Sequence, residues 1–538
     1  MANSLRCYNP TVSESVIRRP YPDLAAWLIL IAGFCWRVWM AHATFFNTDE
    51  AWHYSVANQD SLSALYKASL TLAHPPLMVF VLYFWRHLGT SDLMIRMPGV
   101  LASTAFCWIF YKWLSLLFGR AVALSGLVFA ALLPPMIALS AEVRQYGWML
   151  MFAMASAYFL EQGLAASSPR LMLASAISLW LAMLSHYSAF LFAAALGVYT
   201  IWRMIRERPA RLLVALWAFG QTVGVALAGV LYKTHIAKLG TVYPVARPLQ
   251  RFGDFYIADW YFHPDRDHLL HFLYRGTLGV FRFEFGHTGV GQIAAVLFVA
   301  GVVSVMLRRN EPTRPQKLAL AGLLIAPFVV NWIAVAAGLF PYGRTRQCIF
   351  LAIFGFAGVA IALVRICRDR TFAAAAVALA LAAFCHLFGT LQGRDMLPLS
   401  DQRHEHMDAA LEFLHDNVTS ADVIVTDRAT KFQLEHYLCR HEQKKKESPA
   451  QGFDSFECGG LRVVSTGAND GALTAENFAS ESAHVKEAYG LNPAKTWVVQ
   501  GGWATGLGES LRSQLRGYES MRVHSFGHYL EVFQVPSS

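Results

Sequence analysis

Two adjacent carboxylates, Asp49 and Glu50, follow the first long apolar segment of the chain in the stretch Asn47-Thr48-Asp49-Glu50. One of them could accept a proton as a general base while the other positions a substrate or contacts a metal ion. The alternative is purely structural. Carboxylates favour the positive end of a helix dipole, and Thr48 or Asp49 would then be the N-cap of a helix. The pair by itself leaves both interpretations open.

Basic side chains recur where apolar segments meet polar loops on the same side as this pair. They are Arg96, Arg144, Arg344 and Arg346, and Glu142 and Tyr146 each stand two residues from Arg144. An arginine guanidinium can hold a phosphate or carboxylate through two parallel hydrogen bonds, so these positions are candidates for binding an anion. Snorkelling, or pairing of Arg144 with Glu142, is the structural alternative. His74, in the stretch His74-Pro75-Pro76-Leu77, could also contact a phosphate.

The composition of the chain is that of a membrane protein. Of its 538 residues, 55% are hydrophobic and only 15% are charged, whereas soluble domains carry about 25% charged residues. The net charge of +9 comes from short basic clusters between apolar segments. That distribution fixes membrane orientation and differs from a basic face that binds nucleic acid.

The apolar segments predict about eleven transmembrane helices. They cover approximately 24–46, 95–118, 121–140, 146–164, 171–186, 188–204, 211–232, 289–307, 318–340, 348–364 and 371–391. A further stretch, 75–88, is short and interrupted by Arg86 and His87. If that stretch stays re-entrant or interfacial, the basic clusters, Arg18-Arg19 and Arg308-Arg309 among them, fall on one side, as the positive-inside rule requires. The loops 47–94, 141–146, 185–188, 233–288 and 341–347 then lie outside, together with the C-terminus.

The chain divides into a membrane module, 1–395, and a polar C-terminal domain, 396–538. In the second part, β-rich runs at 422–427, 461–465, 496–500 and 529–535 alternate with helical patterns such as 404–417, which predicts a small soluble α/β domain. Cys439 and Cys458 both lie there, and an extracytoplasmic location would favour a disulfide between them. His404 and His406 are expected on a solvated helix face.

The outer-loop motifs resemble a known family in their order. An acidic pair after the first span is followed by His-Pro-Pro-Leu, by Arg-x-Pro and by Ser-x-Glu-x-Arg-x-Tyr at 140–146. This order is similar to that of integral-membrane glycosyltransferases of the GT-C fold, the family 39 and 83 type. That type includes protein O-mannosyltransferases and lipid A aminoarabinose transferases. The resemblance is specific over roughly 25–205 and does not cover the C-terminal domain.

The resemblance implies an enzyme that takes a sugar from a polyprenyl-phosphate donor on the outer face of a membrane. Transfer would invert the configuration at the anomeric carbon. The bacterial inner membrane is the expected location. Asp49 would be the base, with Glu50 beside it, and Glu142, Arg144 and Tyr146 would line the donor site. The acceptor could be a glycan, a lipid or a protein.

Two matters stay open in the sequence. The later spans offer no clear second aspartate for a metal site, so dependence on a divalent cation is undecided. A secondary transporter and a non-catalytic scaffold are alternatives, although transporters place ionisable groups near the bilayer midplane. Here only Arg37 stands at such a depth, without an evident partner in the sequence.

Overall fold

The computed structural model describes residues 23–238, 257–307, 317–390, 402–439, 445–447, 454–466, 473–490, 493–501 and 506–536. Arg18-Arg19, the basic cluster 308–314, part of the 233–288 loop and the proposed domain boundary near 395 lie outside these residues. The described part consists of a helical bundle followed by a mixed α/β unit, so the fold class expected from the sequence is confirmed.

Sixteen helices form the first part among the described residues. They are α1 (Leu24–Ala43), α2 (Thr48–Ala57), α3 (Leu62–Ser69), α4 (Leu77–Trp85), α5 (Asp92–Phe118), α6 (Arg120–Leu132), α7 (Pro134–Ser140), α8 (Tyr146–Ala165), α9 (Pro169–Ser185), α10 (Ser188–Glu207), α11 (Arg211–Thr234), α12 (Leu269–Phe285), α13 (Thr288–Leu307), α14 (Lys317–Ala336), α15 (Ala352–Ile366) and α16 (Thr371–Leu387). A 3-10 helix, Arg346–Leu351, leads directly into α15.

Each predicted span corresponds to one helix or to the pair α6 and α7, which is bent by 56°. By length and hydropathy alone, seven helices of the described chain could cross a membrane, or eight if the bent pair counts as one span. The helices α8, α9 and α16 do not meet both criteria. This measure therefore identifies eight of the eleven predicted spans in the described residues. The bend follows Leu133, where Pro134 and Pro135 begin a new helix because proline cannot donate a backbone hydrogen bond.

The stretch at 75–88 forms a short apolar helix, Leu77–Leu88. At 1.5 Å per residue its length is roughly 18 Å, well short of the ~30 Å hydrocarbon core. It therefore agrees with the expectation of a segment that does not cross. The predicted outer loop 233–288 contains the helix α12, whose Phe281 packs on Phe298 and Phe328.

Arg37, which had no evident partner in the sequence, is fully enclosed between α1 and α6. Its guanidinium donates to the carbonyl oxygens of Ala131 at 2.7 Å and Ala130 at 2.9 Å. These are the last carbonyls of α6, which the bend before Pro134 leaves without helical donors. Arg37 therefore fastens α1 to a helix end.

The second part is built on a seven-stranded sheet. Its strands are β1 (Val423–Thr426), β2 (Lys445–Glu447), β3 (Ser455–Cys458), β4 (Leu461–Ser465), β5 (Thr496–Gly501), β6 (Val523–Ser525) and β7 (Leu530–Gln534). Their order is β2-β3-β4-β1-β5-β7-β6, and β1 is parallel to both neighbours. The helices are α17 (His404–Asn417), α18 (Arg428–Leu438), α19 (Phe478–Tyr489) and α20 (Leu507–Gln514). The sequence predicted four of these strands and missed the short β2, β3 and β6.

A disulfide joins Cys439, which caps the C-terminus of α18, to Cys458 at the end of β3, with the two Cα atoms 5.4 Å apart. It ties α18 to the antiparallel edge of the sheet.

Candidate active site

The helix α2 begins with a capping box that places Asp49 in its first turn. Asn47 is the N-cap: its side-chain oxygen accepts from the Glu50 amide at 3.0 Å, and Glu50 accepts from the Asn47 amide at 3.1 Å. The expectation that Thr48 or Asp49 caps the helix is therefore wrong. Because Glu50 completes the box, the Asp49 carboxylate is left to point elsewhere.

Glu50 and Arg96 form a buried ion pair next to the site. The Arg96 guanidinium donates to both Glu50 oxygens at 2.7 and 2.6 Å. Its remaining contacts run to the carbonyls of Ala41, Thr44 and Phe45 at the end of α1. Both side chains are almost completely buried. The structure thus engages Glu50 and Arg96 with each other and with backbone groups, whereas the sequence suggested a second catalytic group and a phosphate contact.

The loop between α7 and α8 is held by the same pair. Glu50 Oε1 also accepts from the Val143 amide at 2.8 Å. Gly99 of α5 lies under this loop, where a Cβ atom would come 3.3 Å from the Glu142 carbonyl oxygen. Consequently, the backbone between Glu142 and Arg144 is fixed at Val143, and the Arg144 side chain contacts Asp49.

Four charged side chains meet at this point. Arg144 Nη2 lies 2.7 Å from Asp49 Oδ2, and Arg346 Nη2 lies 3.7 Å from the same oxygen. Glu142 Oε2 lies 3.5 Å from Arg346 Nη1 and 3.8 Å from Arg144 Nε. Asp49 is the most exposed of the four, with 28% of its side chain accessible. The cluster alternates in charge and opens at Asp49.

The pKa values of Asp49 and Glu142 shift in opposite directions. Burial opposes ionisation of Asp49, but the guanidinium groups of Arg144 and Arg346 outweigh it and lower the pKa of that carboxyl. Burial raises the pKa of Glu142 despite Arg346, because Glu50 and Asp49 add negative charge nearby. At neutral pH, Asp49 is therefore a carboxylate, whereas Glu142 binds a proton more readily. Such a split pair is typical of acid–base chemistry.

Three buried histidines, His53, His74 and His186, lie beside the cluster, and burial lowers the pKa of each. His53, one turn after Asp49, is held at its Nδ1 by the Asp49 carbonyl, and its Nε2 meets Nε2 of His74. Burial and Arg144 lower the pKa of His53 to about 3, and the same two causes lower that of His186 to about 3. Burial, His53 and Arg144 hold the pKa of His74 well below its usual value. His74 thus supplies no positive charge for a phosphate. His53 was not among the residues that the sequence indicated, although its four-residue spacing from Asp49 predicts a shared helix face.

Tyr146 lies next to the cluster, and Arg344 precedes Arg346 by two residues in the chain. The Tyr146 ring is 5.2 Å from that of His186 and 5.9 Å from the Arg144 guanidinium carbon. The Tyr146 ring therefore lies next to both Arg144 and His186. Arg344 is half-buried in the loop before the 3-10 helix, and its backbone packs against Gly279 of α12.

No group of three or more His, Cys, Asp or Glu residues with the geometry of a metal site occurs in the described parts of the chain. His404, expected on a solvated face, lies 3.5 Å from Asp92 at the boundary between the two parts of the molecule. The His404 side chain keeps 30% of its surface accessible beside this contact.

The dolichyl-phosphate-mannose-protein mannosyltransferase family model matches residues 73–232. Among solved structures, ArnT from Cupriavidus metallidurans bound to undecaprenyl phosphate is 13% identical, with a TM-score of 0.51 over 96% of this chain and 98% of ArnT. Its apo state gives the same identity and TM-score, over 94% and 97%. An oligosaccharyltransferase from Archaeoglobus fulgidus, solved with zinc and sulfate, is 12% identical, with a TM-score of 0.49 over 93% of this chain and 72% of that one. No curated protein sequence gives a match.

At such low identity, the similarity to ArnT establishes the fold, and the family match extends from His74 through the Glu142–Arg144 loop to α11. The family match favours a glycosyltransferase over the alternatives of a transporter or a scaffold. The chain is an integral-membrane glycosyltransferase with the GT-C fold.

Proposed function

We propose that this enzyme transfers a sugar from a polyprenyl-phosphate donor to an acceptor hydroxyl, with inversion at the anomeric carbon and with Asp49 as the general base. Arg144 and Arg346 bind the donor phosphate, and Glu142 and Tyr146 hold Arg144 in place. The observation that carries the proposal is the meeting of an ionised, partly exposed Asp49 carboxylate with two guanidinium groups.

The chemistry needs a base and a cationic site next to each other. The acceptor oxygen attacks the anomeric carbon while its proton passes to Asp49, so a new C–O bond forms on the face opposite the phosphate. The bond from the sugar carbon to the phosphate oxygen breaks, and its electron pair stays on the lipid phosphate. Arginines that face this growing charge stabilise the transition state more than the ground state.

The donor class is supported by two findings. The family model that matches residues 73–232 is named for an enzyme that uses a dolichyl-phosphate sugar, and ArnT, which shares the fold, was solved bound to undecaprenyl phosphate. The arginine cluster offers what a phosphate monoanion or dianion needs, because guanidinium groups match phosphate geometry. Arg346 holds its two carboxylates at 3.5 and 3.7 Å, so a phosphate can compete for it.

Asp49 and the C-terminal domain occupy the same end of the molecule, since the amide of Phe46 contacts Tyr437. We place that end outside the cytoplasm, with 1–395 as the membrane module and 396–538 as the extracytoplasmic domain. The segregation of basic clusters and the disulfide support this orientation. The bacterial inner membrane fits both.

The test is sugar transfer from a synthetic polyprenyl-phosphate sugar in vesicles, with Asp49→Asn compared against wild type. Turnover should fall by about 10²-fold or more, because an amide cannot accept the proton, while donor binding changes little. Asp60→Asn is the matched control, since Asp60 is exposed in the same outer loop. Wild-type turnover in Asp49→Asn would overturn the role of Asp49.

A further inference from the structure

The C-terminal domain contacts the helix that carries Asp49. The helix α18 lies along α2, and the rings of Phe432 and Trp52 are parallel with their centroids 6.2 Å apart. One turn further along α18, His436 stacks on Phe46 at 4.5 Å. The C-terminal domain therefore contacts both α2 itself and the residue that precedes its N-cap.

Both backbone groups of Phe46 are held by side chains of α18. The Phe46 amide donates to the Tyr437 hydroxyl at 2.6 Å, and Gln433 Nε2 donates to the Phe46 carbonyl at 2.6 Å. The Tyr437 hydroxyl in turn donates to Asp92 Oδ2 at 2.5 Å, and His436 Nε2 lies 2.9 Å from Asp92 Oδ1. Asp92 is in the first turn of α5, so one network joins the domain to two elements of the membrane module.

The position of Phe46 gives this network its importance. Phe46 directly precedes the N-cap Asn47, and Asp49 follows two residues later. The residue before it is also held, because the Phe45 amide donates to the Gln402 carbonyl at 2.8 Å. The chain entering α2 is therefore fixed by groups of the C-terminal domain on consecutive residues. A displacement of ~1 Å at a reacting group can reduce turnover about a hundredfold.

Gln433 shows that the contact is specific. Its side chain is fully buried, and in the described residues its Oε1 has no hydrogen-bond partner. A buried amide is costly unless it makes hydrogen bonds. The hydrogen bond that Gln433 does make is to Phe46 of the membrane module. For packing within the C-terminal domain alone, an apolar residue of the same size would serve equally well.

We propose that the C-terminal domain is a positioning element of the active site, acting through Tyr437 and Gln433 on Phe46 to fix the start of α2 and thereby the Asp49 carboxylate. This inference rests on the proposed role of Asp49 as base. It assigns the domain a part in the transfer reaction, distinct from that of a passive appendage.

The test uses Tyr437→Phe in the full-length protein, with Tyr518→Phe as the matched control. Tyr518 is a half-buried tyrosine of the same domain that packs on Phe478, in the other core of the sheet. In Tyr437→Phe, kcat should fall about tenfold to a hundredfold, while the KM for the donor stays within about threefold. The acid limb of kcat should also move to higher pH, because a displaced Asp49 loses part of its interaction with Arg144. Tyr518→Phe should match wild type in all three.

A second variant distinguishes loss of the contact with Phe46 from misfolding of the first variant. Gln433→Leu keeps the side-chain volume and removes the hydrogen bond to Phe46, and its kcat and acid limb should change in the same direction. Wild-type kcat and pH profile in both Tyr437→Phe and Gln433→Leu would overturn the inference. Asp49→Asn, assayed in parallel, separates the two proposals. If it loses turnover while both α18 variants keep theirs, only the positioning role fails; if it keeps turnover, the base assignment fails.

Discussion

Replacing Arg144 by alanine tests the electrostatic design of the site. Arg144 holds Asp49 Oδ2 at 2.7 Å, and Arg346 approaches the same oxygen only to 3.7 Å. Asp49 has its pKa lowered because these guanidinium groups outweigh burial. A carboxyl with a lowered pKa is in its active, ionised form above that pKa and loses activity as the pH falls through it. Without Arg144, the effect of burial on Asp49 is opposed less strongly, so the pKa of Asp49 rises. The acid limb of kcat then moves to higher pH.

The magnitude follows from the geometry. A charge-assisted hydrogen bond of normal length contributes about 1.5–3 kcal/mol, and each 1.4 kcal/mol is about a tenfold change in an equilibrium. Partial exposure of Asp49, 28% of its side chain, places the effect toward the lower end. Arg144→Ala should therefore reduce kcat/KM for the donor roughly tenfold to a hundredfold at neutral pH. Arg346→Ala should move the acid limb in the same direction but by less, since its contact with Asp49 is longer than that of Arg144.

The assay is initial-rate sugar transfer over a pH series in vesicles, with donor binding measured separately. Arg144→Lys should recover only part of the loss, because an ammonium group cannot reproduce the forked contact of a guanidinium. Full activity in Arg144→Lys would contradict the two-pronged contact that we propose between Arg144 and the donor phosphate. An acid limb of Arg144→Ala at the wild-type position would refute the electrostatic reasoning, even if donor binding were weakened.

Three further predictions concern the framework around the site. Glu50→Gln should lower the free energy of unfolding by ~3–5 kcal/mol, because it breaks a buried ion pair; a thermal unfolding midpoint equal to that of wild type would exclude this. Cys439→Ser should cost roughly 3 kcal/mol by opening a loop of 19 residues' separation, and reductant should then have no further effect on unfolding. In a variant lacking the native cysteines, Ser525→Cys should react with an impermeant thiol reagent in intact cells and Arg208→Cys should not. The reverse pattern would invert the proposed topology.

Local sequence patterns predicted much of the framework. Long apolar segments specify membrane helices without reference to the rest of the chain, because a helix satisfies its own backbone hydrogen bonds in lipid. In the same way, the helix at 404–417 and four strands followed from their own periodicity. The candidate charges Asp49, Glu142, Arg144 and Arg346 were identifiable because an acidic pair directly follows a span and because arginines on the outer side depart from the positive-inside rule. The sequence could rank them only as candidates.

Their division of labour depended on tertiary structure. Adjacent carboxylates point in different directions from a helix. Only the tertiary structure decided that Glu50 is enclosed with Arg96 of α5, whereas Asp49 meets Arg144 from the loop between α7 and α8. The partner of Phe46 is Tyr437, 391 residues away, and the partners of Arg37 are backbone carbonyls exposed by a helix bend. Periodicity carries no information about such contacts, because it describes one element at a time. They exist only where elements distant in the chain come within hydrogen-bond distance.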